Sequence, residues 1–158
     1  MKENNHLPVF GIGPYLIGLI AIVSILAILL SLKKIIPNYP TNQIITAVLG
    51  IVLIICGVIF WSSAVLKSRI DNNIRNNQLV TTGIYSIVRH PIYAAFLYAI
   101  TGFIVMANNL ILLILPVIHL LILTLAMKRT EEKWLIDEYG DDYLNYSKKV
   151  NRFIPKVI

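Results

Sequence analysis

Two separated stretches of this sequence carry side chains suited to binding and catalysis. The first, Gly83–Tyr93, reads Gly-Ile-Tyr-Ser-Ile-Val-Arg-His-Pro-Ile-Tyr. Arg89 and His90 directly precede Pro91, a residue favoured in the first turn of a helix, so we expect both at a helix N-terminus. The helix dipole and two potential cations converge there, which is typical of an anion-binding site. In the alternative interpretation, Arg89 extends to lipid phosphates and His90 caps the helix.

The second stretch runs from Glu131 to Pro155 and combines carboxylates with aromatic rings. Glu131 and Glu132 are adjacent, so they lie about 100° apart around a helix. A carboxylate beside a membrane segment is costly unless it is solvated or paired, and a solvated face with Glu–Lys pairs is the simplest alternative. Tyr143 and Tyr146 are three residues apart and would share one helix face. By itself that pair indicates an interfacial aromatic belt more than a pocket wall.

Together the two stretches resemble a family pattern. It reads Gly-x-Tyr-x-x-x-Arg-His-Pro-x-Tyr, followed by Glu-Glu-x-x-Leu-x-x-x-x-Gly-x-x-Tyr-x-x-Tyr-x-x-x-Val-x-Arg-x-Ile-Pro. This pattern is similar to that of the isoprenylcysteine carboxyl methyltransferase family and of the related phospholipid N-methyltransferases. The matching positions, all in the C-terminal half, are Gly83, Tyr85, Arg89, His90, Pro91, Tyr93, Glu131, Glu132, Leu135, Gly140, Tyr143, Tyr146, Val150, Arg152, Ile154 and Pro155.

The resemblance implies a membrane methyltransferase that uses S-adenosylmethionine and releases S-adenosylhomocysteine. Arg89 and His90 are then available for the donor's carboxylate, while either of the two adjacent glutamates is available for its ammonium or ribose hydroxyls. The implied catalytic residues are Arg89, Glu132 and Tyr146. The implied donor-binding residues are Tyr85, Arg89, His90, Tyr93, Glu131, Glu132, Tyr143 and Tyr146.

The acceptor implied by the resemblance is lipophilic and reaches the site from the bilayer. A carboxylate of an isoprenoid-type or lipid-linked acceptor has a pKa of about 4 and needs no general base at neutral pH. A phospholipid amine must lose a proton before it attacks, and Glu132 or Tyr146 would then matter as a base. Carboxyl O-methylation is the favoured hypothesis, phospholipid N-methylation is the nearest alternative, and a non-catalytic membrane scaffold or transporter subunit is the alternative of another class.

The elements that must position these residues are apolar and long. Of 158 residues, 57% are apolar and 14% are charged, whereas soluble domains have roughly 25% charged residues. Ile12–Leu32 and Ile44–Leu66 contain no charged residue, and each reaches the roughly 20 residues that a membrane span needs. Ile92–Met127 is interrupted by Asn108 and Asn109, and because Asn tolerates left-handed turns it is predicted to form a hairpin of two short helices.

The predicted fold is an all-α integral membrane protein with about four transmembrane helices, the last two a hairpin, followed by a cytosolic helical tail. It forms a single domain over 1–158, with two spans in 1–66 and the motif-bearing half in 79–158. Of the 14 Lys and Arg residues, only Lys33 and Lys34 fall opposite the motifs, so the positive-inside rule predicts cytosolic termini. The Ile-, Asn- and Lys-rich composition suggests a prokaryotic cytoplasmic membrane.

The connections between these spans have their own predicted features. Gly50 and Gly57 in the second span are expected to allow close helix contact. The polar segment Lys67–Tyr85 joins the two halves. After the hairpin, Lys128–Tyr139 is predicted to be a continuous amphipathic helix that leaves the membrane. Gly140 is expected to end it, and a second short helix capped by the next residue would carry the tyrosine pair.

Several other functions are disfavoured by the sequence. The net charge of +6 comes from basic residues that flank helices, so it suits anionic lipid headgroups and gives no reason to expect nucleic acid. Cys56 is the single cysteine and cannot form an internal disulfide. With three scattered histidines, no metal site is expected. His119 follows Pro116 inside a span, and either serves a function there or bonds a carbonyl freed by the proline. The oligomeric state is left open.

Overall fold

The computed structural model describes residues 12–67 and 79–156, and this part of the chain is helical apart from its connections. The polar segment predicted at Lys67–Tyr85 falls mainly on 68–78, outside the described residues. Short 3-10 turns precede the third and fourth helices, at Gly83–Ser86 and Leu110–Leu113. The helices are α1 (Gly13–Leu32), α2 (Gln43–Ser62, continued by a π-helical turn at Ser63–Lys67), α3 (Pro91–Met106), α4 (Ile114–Arg129) and α5 (Glu131–Lys149).

Three described segments are long and apolar enough to cross a membrane: Gly13–Leu32, Gln43–Leu66 and Leu110–Arg129. Their outward faces present aliphatic side chains to lipid, as Leu26 at 54% exposure illustrates. The 16 residues of α3 measure about 24 Å along the helix axis, which is less than the roughly 30 Å hydrocarbon core. The all-α prediction is therefore confirmed for the described residues, with three span-length segments and a shorter apolar helix where about four spans were predicted.

The hairpin turn between α3 and α4 lies where the sequence predicted it. Asn108 adopts a left-handed conformation with φ of 51°, and its Oδ1 accepts hydrogen bonds from the Thr41 backbone and hydroxyl at 2.9 and 2.8 Å. The buried Asn109 amide donates to Ser31 Oγ at 2.8 Å and to the Pro37 carbonyl at 3.1 Å. The two asparagines therefore fasten the loop between α1 and α2 to the end of the bundle remote from the motifs.

Glycines bring α2 and α3 into backbone contact. A Cβ added at Gly57 would lie 2.6 Å from the Ala95 carbonyl oxygen, and one added at Gly102 would lie 2.6 Å from the Gly50 carbonyl oxygen. Such small-residue contacts are a common basis of helix association in membranes. The predicted close contact at Gly50 and Gly57 is confirmed, and it fixes α3, whose first turn carries the end of the first motif.

The exit from the membrane differs from the prediction. The continuous helix predicted over Lys128–Tyr139 is wrong, because α4 ends at Arg129 and Thr130 has non-helical φ and ψ of −122° and −87°. The Thr130 hydroxyl bonds back to the Ala126 carbonyl at 2.8 Å, a local contact that competes with helix continuation. The break places both motif glutamates in the first turn of α5. Gly140, with φ of 52°, interrupts α5 as predicted.

His119 is buried in α4 without a visible partner. It is 2% exposed, and neither ring nitrogen has a hydrogen-bond partner within the described part of the chain. The carbonyl bond considered beside Pro116 is thus not formed.

Replacing His119 by Leu is expected to stabilise the protein. A buried polar group without a partner costs about 1–3 kcal/mol, and Leu fills a similar volume without that cost. We expect the thermal unfolding midpoint in detergent to rise for His119→Leu relative to wild type. A lowered midpoint would show that the imidazole has a polar partner in solution.

Candidate functional site

The first motif forms a bend that leads into α3. A 3-10 turn at Gly83–Ser86 is followed by an extended segment, and α3 begins at Pro91, as predicted. His90 occupies the N-cap position but makes no side-chain capping bond, and it is 6% exposed. Arg89 is 9% exposed and its guanidinium faces a carboxylate within the protein. Neither the capping role for His90 nor the lipid-phosphate role for Arg89 is therefore observed.

The tail after α5 holds this segment in place. It runs parallel to the first motif, with the Arg89 amide donating to the Asn151 carbonyl at 2.8 Å and the His90 amide donating to the Arg152 carbonyl at 3.0 Å. The Phe153 ring, 2% exposed, lies 5.9 Å from the His90 ring between centroids. Two elements more than 60 positions apart in the chain therefore jointly fix the backbone beneath both cationic side chains.

Glu132 is the centre of the site. Its Oε1 lies 3.1 Å from Arg89 Nη2 and 3.3 Å from His90 Nε2, while its Oε2 lies 2.7 Å from Arg152 Nη2. The residue is 5% exposed. The anion predicted at this helix N-terminus is thus the chain's own carboxylate, and it is surrounded by three cationic or potentially cationic groups.

These neighbours control the ionisation of Glu132. Burial by itself raises the pKa of the carboxyl, but hydrogen bonds from His90 and Arg152 and the charge of Arg89 outweigh burial and lower the pKa to about 2. Glu132 is therefore a carboxylate at neutral pH and a very weak base.

His90 lies between the two motif glutamates. Its Nε2 approaches Glu132, and its Nδ1 lies 3.7 Å from Glu131 Oε2. The Tyr93 hydroxyl, from the first turn of α3, donates to Glu131 Oε1. The His90 imidazole therefore connects both glutamates of α5 to the start of α3, and the Tyr93 phenol adds a second connection to Glu131.

The tyrosine pair packs against the other side of Arg89. Arg89 Nη1 donates to the Tyr143 hydroxyl at 3.2 Å, and the guanidinium carbon lies 5.7 Å from the Tyr143 ring centroid. The Tyr143 and Tyr146 rings meet edge to face at 6.1 Å, and the Tyr146 hydroxyl donates to the Tyr85 carbonyl. Burial raises the pKa of Tyr143 and of Tyr146. Both phenols are therefore protonated donors at neutral pH.

An open cavity of about 520 Å³ adjoins this cluster. The Nε–H groups of Arg89 and Arg152 are buried and have no acceptor among the described residues. Cations on the cavity wall outnumber the one carboxylate. The lining residues are Arg89, Lys128, Glu132, Lys133, Ile136, Tyr143, Ser147, Asn151 and Arg152.

The structure separates the residues predicted for the site into two layers. Three of them line the cavity, while the others lie behind it as supports: Tyr85, His90, Tyr93, Glu131 and Tyr146. The sequence analysis did not assign a site role to the other six cavity residues, which are Lys128, Lys133, Ile136, Ser147, Asn151 and Arg152. A sequence signal for part of this set was present, because Tyr143 and Ser147 lie four residues apart in α5, as do Glu132 and Ile136. Over the described residues, no group of three or more His, Cys, Asp or Glu is arranged to hold a metal ion.

The family of the chain follows from its match to a known domain. Residues 45–142, from the start of α2 to beyond Gly140, match the phospholipid methyltransferase family. The chain belongs to the phospholipid methyltransferase family. The resemblance inferred from the two motifs is thereby confirmed, and the apolar helices of this family member are those of an integral membrane protein.

Curated relatives of this family member have diverse names. A protein-S-isoprenylcysteine O-methyltransferase of Xenopus laevis is 30% identical over 126 residues, which cover 74% of this chain and 44% of the relative. A methanethiol S-methyltransferase of Pseudomonas deceptionensis is 36% identical over 47% of this chain and 27% of the relative. A cobalt-zinc-cadmium resistance protein of Cupriavidus metallidurans is 28% identical over 61% of this chain and 42% of the relative. The chain thus spans less than half the length of each relative. No solved structure matches it significantly.

Proposed function

We propose that this chain is an integral membrane methyltransferase that uses S-adenosylmethionine to O-methylate the carboxylate of an isoprenoid-type or other lipid-linked acceptor. One observation carries the proposal. A buried carboxylate, Glu132, is held by Arg89, His90 and Arg152 beside a cavity of about 520 Å³ where the apolar helices end. The family and the isoprenylcysteine O-methyltransferase relative support the reaction type.

The side chains around the cavity fit the functional groups of the donor. The buried Nε–H groups of Arg89 and Arg152 lack acceptors in the described chain and suit a carboxylate, because charged donors make the strongest such bonds. Glu132, or Glu131 behind it, suits an ammonium or ribose hydroxyls. The Tyr143 ring on the cavity wall offers an aromatic face for a flat base or a cation. When bound, S-adenosylmethionine supplies a methyl group on a cationic sulfonium.

The electrostatics of the cavity favour a carboxylate acceptor over an amine. A phospholipid ammonium needs a base, yet the pKa of Glu132 is lowered to about 2 and Tyr146 retains its proton, so neither is suited to that task. A carboxylate acceptor needs no base, and the surplus of cations on the wall attracts it. Transfer between opposite charges proceeds with charge neutralisation, which a dry, low-dielectric site favours over water. The chain's role is then to bind the donor and the acceptor and to orient them for transfer.

Methyl-labelled donor tests this proposal directly. The purified protein, reconstituted in lipid nanodiscs, is given labelled S-adenosylmethionine with an S-farnesylcysteine derivative, with phosphatidylethanolamine, or with a short thiol. We expect label in the farnesylcysteine product and its release as methanol in alkali, since esters hydrolyse and N-methyl groups do not. The Asp137→Ala variant, altered at an exposed position of α5, is expected to keep this activity.

Alternative outcomes point to the other hypotheses. Alkali-stable label in phosphatidylethanolamine would favour the phospholipid N-methyltransferase, and label in the thiol alone would also contradict carboxyl methylation. Absence of label in all three acceptors would favour a non-catalytic membrane scaffold or transporter subunit.

A further inference from the structure

The first residue of α1 lies against the site. Gly13 is buried, and a Cβ added to it would overlap the hydroxyl oxygen and two ring carbons of Tyr93. By contrast, a Cβ added at Gly18, one and a half turns further along α1, meets nothing within 4 Å. The absence of a side chain therefore has a spatial reason at Gly13 that does not apply at Gly18.

The same tyrosine is held on its other sides by the site. Its hydroxyl donates to Glu131, and its ring meets the His90 ring edge to face, with centroids 5.9 Å apart. Glu131 Oε2 in turn lies 3.7 Å from His90 Nδ1. Tyr93 thus occupies the space between the α1 backbone and a motif carboxylate.

We infer that Gly13 is a positioning residue for the Glu131 carboxylate and acts through Tyr93. The overlap with an added methyl group falls on the outer end of a tyrosine side chain, which moves more easily than packed backbone. A side chain at position 13 would therefore displace the phenol from Glu131 and leave the helices packed. The first span, outside the matched residues 45–142, becomes part of the site. The effect on donor binding rests on the proposed function, whereas the effect on the phenol does not.

The position of Tyr93 is measured first, without any donor. The protein carries 3-fluorotyrosine at position 93, and ¹⁹F spectra in detergent are compared for wild type, Gly13→Ala and Gly18→Ala. We expect a shifted resonance for Gly13→Ala, an unshifted one for Gly18→Ala, and thermal midpoints within a few degrees of wild type for both. Identical ¹⁹F resonances in all three proteins would overturn the inference, and so would a thermal midpoint of Gly13→Ala far below those of wild type and Gly18→Ala.

A double-mutant cycle then tests the route through Tyr93. S-adenosylhomocysteine affinity is measured calorimetrically for Gly13→Ala, Tyr93→Phe, the double variant and Gly18→Ala. Because each of the first two variants loses one hydrogen bond, we expect both to bind about fivefold more weakly. Gly18→Ala is expected to match wild type. The double variant is expected to match Tyr93→Phe, because both changes act on the same contact. The inference would be overturned if the affinity losses of the two single variants multiplied in the double variant. It would also be overturned if Gly13→Ala bound with wild-type affinity. If wild type itself fails to bind, the proposed function fails, and the ¹⁹F comparison still decides the position of Tyr93.

Discussion

Replacing Glu132 by alanine is expected to lower the free energy of unfolding by about 3–5 kcal/mol, the range for removing one partner of a buried ion pair. Arg89 and His90 are 9% and 6% exposed, so losing the carboxylate leaves two largely buried side chains without this partner. Arg152 also loses its 2.7 Å contact. The tail that carries it is fixed partly through that contact, so we expect both motif segments to loosen together.

Thermal and denaturant unfolding in detergent measure this effect. The matched control is Asp137→Ala, an exposed carboxylate on the same helix, for which a change within about 0.5 kcal/mol is expected. If Glu132→Ala unfolded at the same temperature and denaturant concentration as Asp137→Ala, the result would contradict the buried network.

Acid is expected to destabilise the protein through the same carboxylate. The folded-state pKa of Glu132 is lowered to about 2, below the ordinary value of 4.5 for a glutamate side chain. A depressed folded-state pKa adds stability that is fully present above the unfolded-state pKa and is lost as the pH falls through the folded-state value. The difference between the two values corresponds to about 3 kcal/mol, which we expect to disappear between about pH 4.5 and pH 2.

The comparison that isolates this residue uses Glu132→Gln. Glutamine keeps the shape but does not titrate, so other carboxylates contribute equally to both proteins. We expect the stability difference between wild type and Glu132→Gln to be largest at neutral pH and to shrink steadily in acid. A difference that stays constant from pH 6 to pH 3 would show that Glu132 has an ordinary pKa.

Local pattern was sufficient to predict the apolar helices. The span predicted at Ile12–Leu32 is α1 at Gly13–Leu32. A single apolar segment in a bilayer forms a helix because only a helix satisfies all of its backbone hydrogen bonds internally. The turn at Asn108 and the interruption at Gly140 were also predicted, since positive φ strongly favours such residues. These features depend on a few neighbouring residues.

The break at Thr130 and the internal contacts of the site had no such local signal. The residues around Thr130 do not mark the end of α4, which is shown by the backbone angles of Thr130, −122° and −87°. The pairing of Arg89 with Glu132, and the parallel contact of the tail with the first motif, join residues that are distant in the chain. The motifs predicted which residues gather, but not that the carboxylates meet the cations directly. Nor did they predict that Lys128 and Lys133 complete the cavity wall.

The most direct test of a donor site is calorimetric titration of the detergent-purified protein with S-adenosylhomocysteine, in the presence of added lipid. Wild type is compared with Arg89→Ala and with Arg129→Ala, which alters an exposed arginine at the end of α4 that does not line the cavity. We expect micromolar binding in wild type and in Arg129→Ala. Because Arg89→Ala loses a charged hydrogen-bond donor, we expect a folded Arg89→Ala protein to bind at least about tenfold more weakly. Equal affinity in all three proteins would contradict the site, and no binding to wild type would contradict the proposed function.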